Sequence, residues 1–160
     1  MKKAYLAGGC FWGLEDLFRR QPGIKNTEAG YCGGKNDKPT YDFHPGHAEA
    51  LEIEYDEKET TFKNILDYFF RIHDPTTENR QGNDIGASYR SAIFYQNEEE
   101  KKEAEEFIKL VDKSRRWDKP VVTTLEKFDK FWPAEDYHQD YLVKNPGGYT
   151  CHFVRFGSYL

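Results

Sequence analysis

Nowhere in this chain do apolar residues run on for the roughly 20 positions that a membrane-spanning helix needs. Excess positive charge is missing too. Its 23 Lys and Arg are outnumbered by 28 Asp and Glu, for a net charge of −5. With no basic stripe to set against that balance, nucleic-acid binding is excluded. Lys101-Lys102 and Arg115-Arg116 sit among acids and read as solvated helix surface. Cysteine is scarce: three, widely spaced, with no Cys-x-x-Cys. That rules against a disulfide framework and against a zinc site, so no metal is expected. It fits a reducing, cytoplasmic setting in which cysteines serve chemistry. The apolar run after Met1-Lys2-Lys3 is about half the length of a secretory h-region, and glycines end it. There is no repeat, no low-complexity tract and no linker. What is present is 160 residues, enough for one domain burying roughly 68–70% of its unfolded surface. With aromatics at 16%, the core should be aromatic-rich.

The chain is organised around Gly8-Gly9-Cys10-Phe11-Trp12-Gly13. Ala4-Tyr5-Leu6-Ala7 before it reads as a buried strand, and Leu14, Leu17 and Phe18 after it sit at helical spacing. Cys10 thus falls on a strand-to-helix turn, where free N–H groups and the helix dipole favour a thiolate. Its pKa is expected below the ~8.5 of a free thiol, at least when substrate is bound. The alternative is a cysteine merely packed among aromatics.

Pro22-Gly23 marks a turn, Ile24 to Tyr31 reads as a weak strand, and Lys35 to Pro45 as a loop. His47 to Tyr55 alternates, with Glu49, Leu51, Ile53 and Tyr55 on one face. Phe62, Ile65, Leu66, Phe69 and Phe70 trace a helix that His73-Asp74-Pro75 stops. A long polar loop from Asp74 to Ser88 precedes a strand from Tyr89 to Tyr95. Asn97 caps a helix with Ala104, Phe107, Ile108 and Val111 inward. Val121 to Leu125 reads as a strand and Glu135 to Lys144 as a short helix. The mixture indicates an α+β fold. Residues 1–160 are expected to form a single catalytic domain, with residues 145–160 as a flexible C-terminal segment.

Glu49 places a carboxylate on the apolar face of a strand. Buried, it would hold its proton near neutral pH and act as a general acid; at a strand end it could instead reach solvent or an arginine. His47 and His73 are each candidate bases for Cys10, as in a thiol hydrolase. A redox-sensing domain oxidised at Cys10 is a further class. Tyrosines and loop aspartates such as Tyr41, Tyr89 and Asp84 ordinarily pack or cap.

Gly9-Cys10-Phe11-Trp12-Gly13 resembles the signature of the A-type peptide-methionine (S)-S-oxide reductases. The later segments Gly30-Tyr31-Cys32-Gly33-Gly34, Gly46-His47-Ala48-Glu49 and His73-Asp74-Pro75-Thr76 match in the family's order. So do Gln81 to Gly86, Tyr89-Arg90-Ser91, Pro133 to Gln139 and Asn145-Pro146. The resemblance implies a two-layer α/β sandwich with a ferredoxin-like mixed sheet and long surface loops. It implies reduction of methionine S-sulfoxide, free or in proteins, through a Cys10 sulfenic acid, with no cofactor. Glu49 matches the proton donor. Tyr89 and Asp84 match residues of the site. Tyr41 matches a tyrosine that hydrogen-bonds the sulfoxide oxygen, although only eight positions separate it from Glu49. Phe11 and Trp12 offer an apolar wall to the substrate methyl. Cys151 lies in the region where the family places a recycling cysteine, and resemblance makes thioredoxin its reductant. A monomer is expected. For Cys32 the resemblance supplies no role, and packing is its expected one.

Overall fold

The computed structural model describes all 160 residues. It is a mixed α/β fold: a six-stranded sheet and four helices. β1 (Lys2–Gly8), β2 (Ile24–Cys32), β3 (Ala48–Tyr55), β6 (Ser91–Tyr95), β7 (Thr124–Lys127) and β8 (Phe131–Pro133) form the sheet. Their order is β7-β6-β1-β3-β2-β8, antiparallel throughout except for the parallel pair β6–β7. β1 lies inside the sheet and is covered on both faces. Its run of Ala4 to Ala7 is therefore apolar without alternation.

α1 (Phe11–Phe18), α2 (Phe62–Ile72) and α3 (Glu98–Ser114) pack their apolar stripes into one core with Leu51, Ile53 and Tyr55 of β3. The alternation of β3 is realised: Ala48 and Ala50 face the other way, onto Tyr5 and Phe94. Each fully buried Leu or Phe of this core is worth about 1.5–3 kcal/mol. Thr61 caps α2 by accepting from the Asn64 N–H at 3.1 Å. Asn97 caps α3 by accepting from the Glu100 N–H at 2.8 Å, as its sequence predicts.

Several boundaries differ from the sequence expectation, each for a tertiary reason. The strand expected at Val121 begins at Thr124, where pairing with Ala92 starts; the Val122 N–H goes instead to the Pro75 carbonyl at 2.8 Å. Within the polar loop, β4 (Arg80–Gln81) and β5 (Asp84–Ile85) make a small hairpin, turned at Gly82. Tyr89 belongs to a tight turn, Ala87–Tyr89, rather than to β6. The helix expected over 135–144 is broken. A turn at Asp136–His138 is followed by α4 (Tyr141–Lys144), with Asp140 between them in the left-handed region.

Beyond Gly148 the chain has no helix or strand, yet it is tied down along α2. The Arg155 N–H donates to the Arg71 carbonyl at 2.9 Å. Arg71 Nε donates to the Phe156 carbonyl at 2.9 Å, and the Tyr159 hydroxyl to the Phe70 carbonyl at 3.0 Å. No helix is long and apolar enough to cross a membrane.

Candidate active site

Cys10 stands at the N-cap of α1, directly after the end of β1, and is 8% exposed. The chain reaches it through Gly9 at φ +95°, a conformation that favours glycine. A Cβ there would also strike the buried side chain of Gln81. The two leading N–H groups of α1 act on different groups. Phe11 N–H donates to Glu49 Oε1 at 3.2 Å. The Trp12 N–H makes no cap hydrogen bond to the Cys10 sulfur but pulls its pKa down. That pull loses. Burial first, then the charges of Glu49, Asp84 and Cys151, push the Cys10 thiol well above the ordinary range. Without substrate the Cys10 thiol is therefore not depressed: one helix N–H offsets less than the loss of water around the sulfur.

Glu49 is paired across the sheet with Tyr31 and is 1% exposed. Burial pushes its pKa up to about 8, against the downward pull of the Phe11 N–H. At neutral pH it is mostly an uncharged acid. Tyr41 and Tyr89 both feel the Glu49 carboxyl, and each bears on the other's ionisation. Tyr41 reaches the site despite its short connector because Glu135 holds it. One Glu135 oxygen accepts from the Tyr41 N–H at 3.0 Å, the other from the Tyr31 hydroxyl at 2.8 Å. Asp84, on the hairpin, accepts from the Tyr149 hydroxyl at 3.1 Å.

Phe11 is fully buried against Tyr31 and His138. Trp12 is half-buried and stacks flat on Tyr141, with centroids 3.8 Å apart. Its indole N–H donates to His138 Nδ1 at 2.9 Å. Cys151 arrives from the C-terminal segment, half-buried beside Gly82 and close enough for its charge to bear on Cys10.

The structure thus brings Cys10, Phe11, Trp12, Tyr41, Glu49, Asp84, Tyr89 and Cys151 around one turn. His47 and His73 are not bases for Cys10. His47 accepts from the Gly34 N–H at 3.0 Å and bonds the Asn36 carbonyl at 2.9 Å. His73 bonds the Phe69 carbonyl at 2.6 Å and the Ser91 hydroxyl at 2.8 Å. Both rings have spent both nitrogens. Cys32 points to the opposite face of the sheet from Tyr31, among Tyr5, Ala48 and Phe94. Its thiol donates to the Lys130 carbonyl at 3.3 Å. Glu135, His138, Tyr141 and His152 are site neighbours that the sequence reading assigned no role. Their one signal was a carboxylate and histidines inside motifs otherwise made of turn residues and aromatics. No group of three or more His, Cys, Asp or Glu side chains is placed to hold a metal ion.

Comparison with known proteins agrees with this geometry. Residues 2–158 match the family model described as peptide methionine sulfoxide reductase. A peptide methionine sulfoxide reductase MsrA of Nocardia farcinica is 58% identical over 154 residues, covering 96% of this chain and 91% of the relative. Mxr1 of Saccharomyces cerevisiae, solved in reduced form, is 37% identical with a TM-score of 0.90, over 97% of this chain and 92% of that one. Mxr1 in complex with Trx2 is similar at 28% identity and a TM-score of 0.60, over 97% and 90%. A match that runs almost from end to end and includes the Cys10 turn places the chain in the peptide methionine sulfoxide reductase family, among its A-type members.

Proposed function

We propose that this protein reduces methionine S-sulfoxide, free and in proteins, with Cys10 as nucleophile and Glu49 as proton donor. The observation that carries the reading is a carboxyl kept protonated by burial, hydrogen-bonded to the N–H of the residue after the only cysteine on the strand–helix turn. Sulfoxide oxygen gains basicity as the S–O bond weakens. Glu49 protonates it, while Tyr41 and Tyr89 donate hydrogen bonds to the developing charge. The Cys10 sulfur attacks the sulfoxide sulfur, and the Cys10 thiol proton replaces the one that Glu49 gave. Oxygen passes to Cys10 as hydroxyl. The substrate sulfur is reduced by two electrons and Cys10 is oxidised to its sulfenic acid. Phe11 and Trp12 supply the apolar wall for the methyl group. Asp84 fixes the Tyr149 hydroxyl at the rim.

Cys151 then forms a disulfide with Cys10. Its proximity to Cys10 supports this choice, as does the seclusion of Cys32 behind the sheet. Thioredoxin restores the dithiol, by likeness to yeast Mxr1, which is solved in complex with Trx2. In this reading residues 1–160 act as a single catalytic domain. Residues 145–160 supply the moving segment, with its movement concentrated before His152. The protein works as a cytoplasmic monomer. The order β6-β1-β3-β2, with α1 and α2 on the crossovers, supports a ferredoxin-like core in a two-layer sandwich.

The test is an assay of both methionine sulfoxide epimers with dithiothreitol. The S epimer should be consumed and the R epimer left, and Cys10→Ser should keep no more than a few per cent of the rate. Consumption of the R epimer, or an active Cys10→Ser, refutes the reading.

A further inference from the structure

His152, next to Cys151, is a buried histidine that the reaction described above does not use. Its Nε2 lies 2.6 Å from the Gly8 carbonyl oxygen. A carbonyl oxygen only accepts, so Nε2 carries the ring proton and donates. The neutral ring therefore bears its lone pair at Nδ1. That atom faces Cys151 Sγ at 3.9 Å. The backbone N–H of His152 does not compete for Nδ1, because it donates to Thr150 Oγ1 at 3.1 Å. α1 closes the other side of the ring: a Cβ on Gly13 would run into Nδ1 itself. Three elements thus fix one tautomer of one ring and aim its free lone pair at one thiol.

We propose that His152 is the general base of the resolving step, taking the proton of Cys151 at Nδ1 as that thiol attacks the sulfenic acid of Cys10. The proposal rests on Cys151 being the resolving cysteine. The Cys151 S–H bond breaks and its proton moves to Nδ1. The freed electron pair forms the bond to Cys10 Sγ. The S–O bond of the sulfenic acid breaks, and Glu49, again in its acid form, protonates the departing hydroxide to water. Solvent then carries the proton from the imidazolium to the Glu49 carboxylate. Cys151 is oxidised, Cys10 is reduced from sulfenic acid to disulfide, and no outside oxidant is needed. Burial keeps the ring uncharged and its lone pair free across the neutral range, its pKa pushed down to about 4, with Arg155 adding to the effect. The Cys151 thiol is itself pushed up, chiefly by burial and also by Asp84, while the Tyr149 hydroxyl and Arg155 pull it down. Without a base it would rarely ionise near neutral pH.

His152→Gln keeps an amide N–H for the Gly8 carbonyl and removes the lone pair at Nδ1. The experiment mixes enzyme with methionine sulfoxide, without reductant, and follows methionine and the Cys10–Cys151 disulfide by rapid quench and mass spectrometry. The methionine burst, which precedes any use of Cys151, counts folded enzyme. Disulfide formation in the variant should be at least about tenfold slower at pH 7, with a sulfenic acid trappable on Cys10. The deficit should shrink about tenfold per pH unit on raising the pH, as hydroxide takes over the base's work. A deficit of one constant factor at every pH would make His152 an anchor and overturn the proposal. So would disulfide formation at the wild-type rate. Should the variant give no burst, the wild-type profile decides. A buried neutral base predicts a rate flat from pH 5 to 7, where Glu49 also keeps its proton, and a rate climbing tenfold per unit across that range overturns it. Failure of the underlying assignment looks different: the wild-type protein would form no Cys10–Cys151 link at any pH.

Discussion

Glu49 is held in a place that suits its chemistry and costs stability. Its folded pKa, about 8, stands above the ordinary 4.5, so the native state binds a proton that the unfolded chain releases. Below pH 4.5 both states are protonated and there is no penalty. Between 4.5 and 8 the penalty grows with pH, reaching about 3 kcal/mol at pH 7 at about 1.4 kcal/mol per unit. Glu49→Gln mimics the neutral acid. It should stabilise the fold by about that amount at pH 7 and by almost nothing at pH 4, as read from urea midpoints at the two pH values. The same variant has no acidic proton to give, so its single-turnover rate should fall by about 10²-fold or more near neutrality. In the wild type that rate should decline as pH rises through about 8. A stabilised variant that still turns over within a factor of three of wild type would return the proton donor's role to a tyrosine or to water. Cys10 teaches the same lesson from the other side. Its helix position is favourable to an anion, but the burial that serves Glu49 keeps the resting sulfur a thiol.

Among elements, α1 and the C-terminal segment are matched at a single missing methyl group. Gly13 lies in the first turns of α1, and a Cβ there would collide with Thr150 Oγ1 and with His152 Nδ1. Alanine is the better helix former by about 1 kcal/mol, so Gly13→Ala should leave α1 intact. The collision falls on the segment, which has no helix or strand of its own to resist displacement. The expected result is a lifted Thr150–His152 stretch, faster tryptic cleavage after Arg155, and disulfide formation slowed about tenfold or more. Disulfide formation at the wild-type rate would show that the contact is dispensable. β8 is matched to β2 in a similar way: Gly30 leaves the space in which Phe131 and the Trp132 carbonyl sit.

At the scale of the whole molecule, the sheet puts two of the three cysteines on one side and the third on the other. One turnover without reductant should therefore give a Cys10–Cys151 disulfide and a free Cys32 thiol, as peptide mapping would read it. Cys151→Ser should release about one methionine per enzyme and then stall with thioredoxin. Sustained turnover by that variant, or a Cys10–Cys32 link, would contradict the arrangement. The far end of the segment is held apart from this chemistry. Tyr159 donates to the Phe70 carbonyl, accepts from the Trp117 indole at 3.1 Å and lies under Arg116. Tyr159→Ala should cost about 2 kcal/mol of stability in denaturant titrations, with the first-turnover rate preserved in the folded fraction. Much of this was legible in the residues alone. The turn at Cys10, the inward face of β3 and the cap at Asn97 are local patterns, and periodicity records which face of an element is buried. A two-residue strand such as β4 or a three-residue strand such as β8 has no period to read, and its place is set by a partner far along the chain. The ionisation of Cys10 and Glu49, the reach of Tyr41 and the tautomer of His152 were decided only by the tertiary structure. Each is a sum over groups distant in sequence, and the dominant contribution, the exclusion of water, exists only once the chain has closed around them.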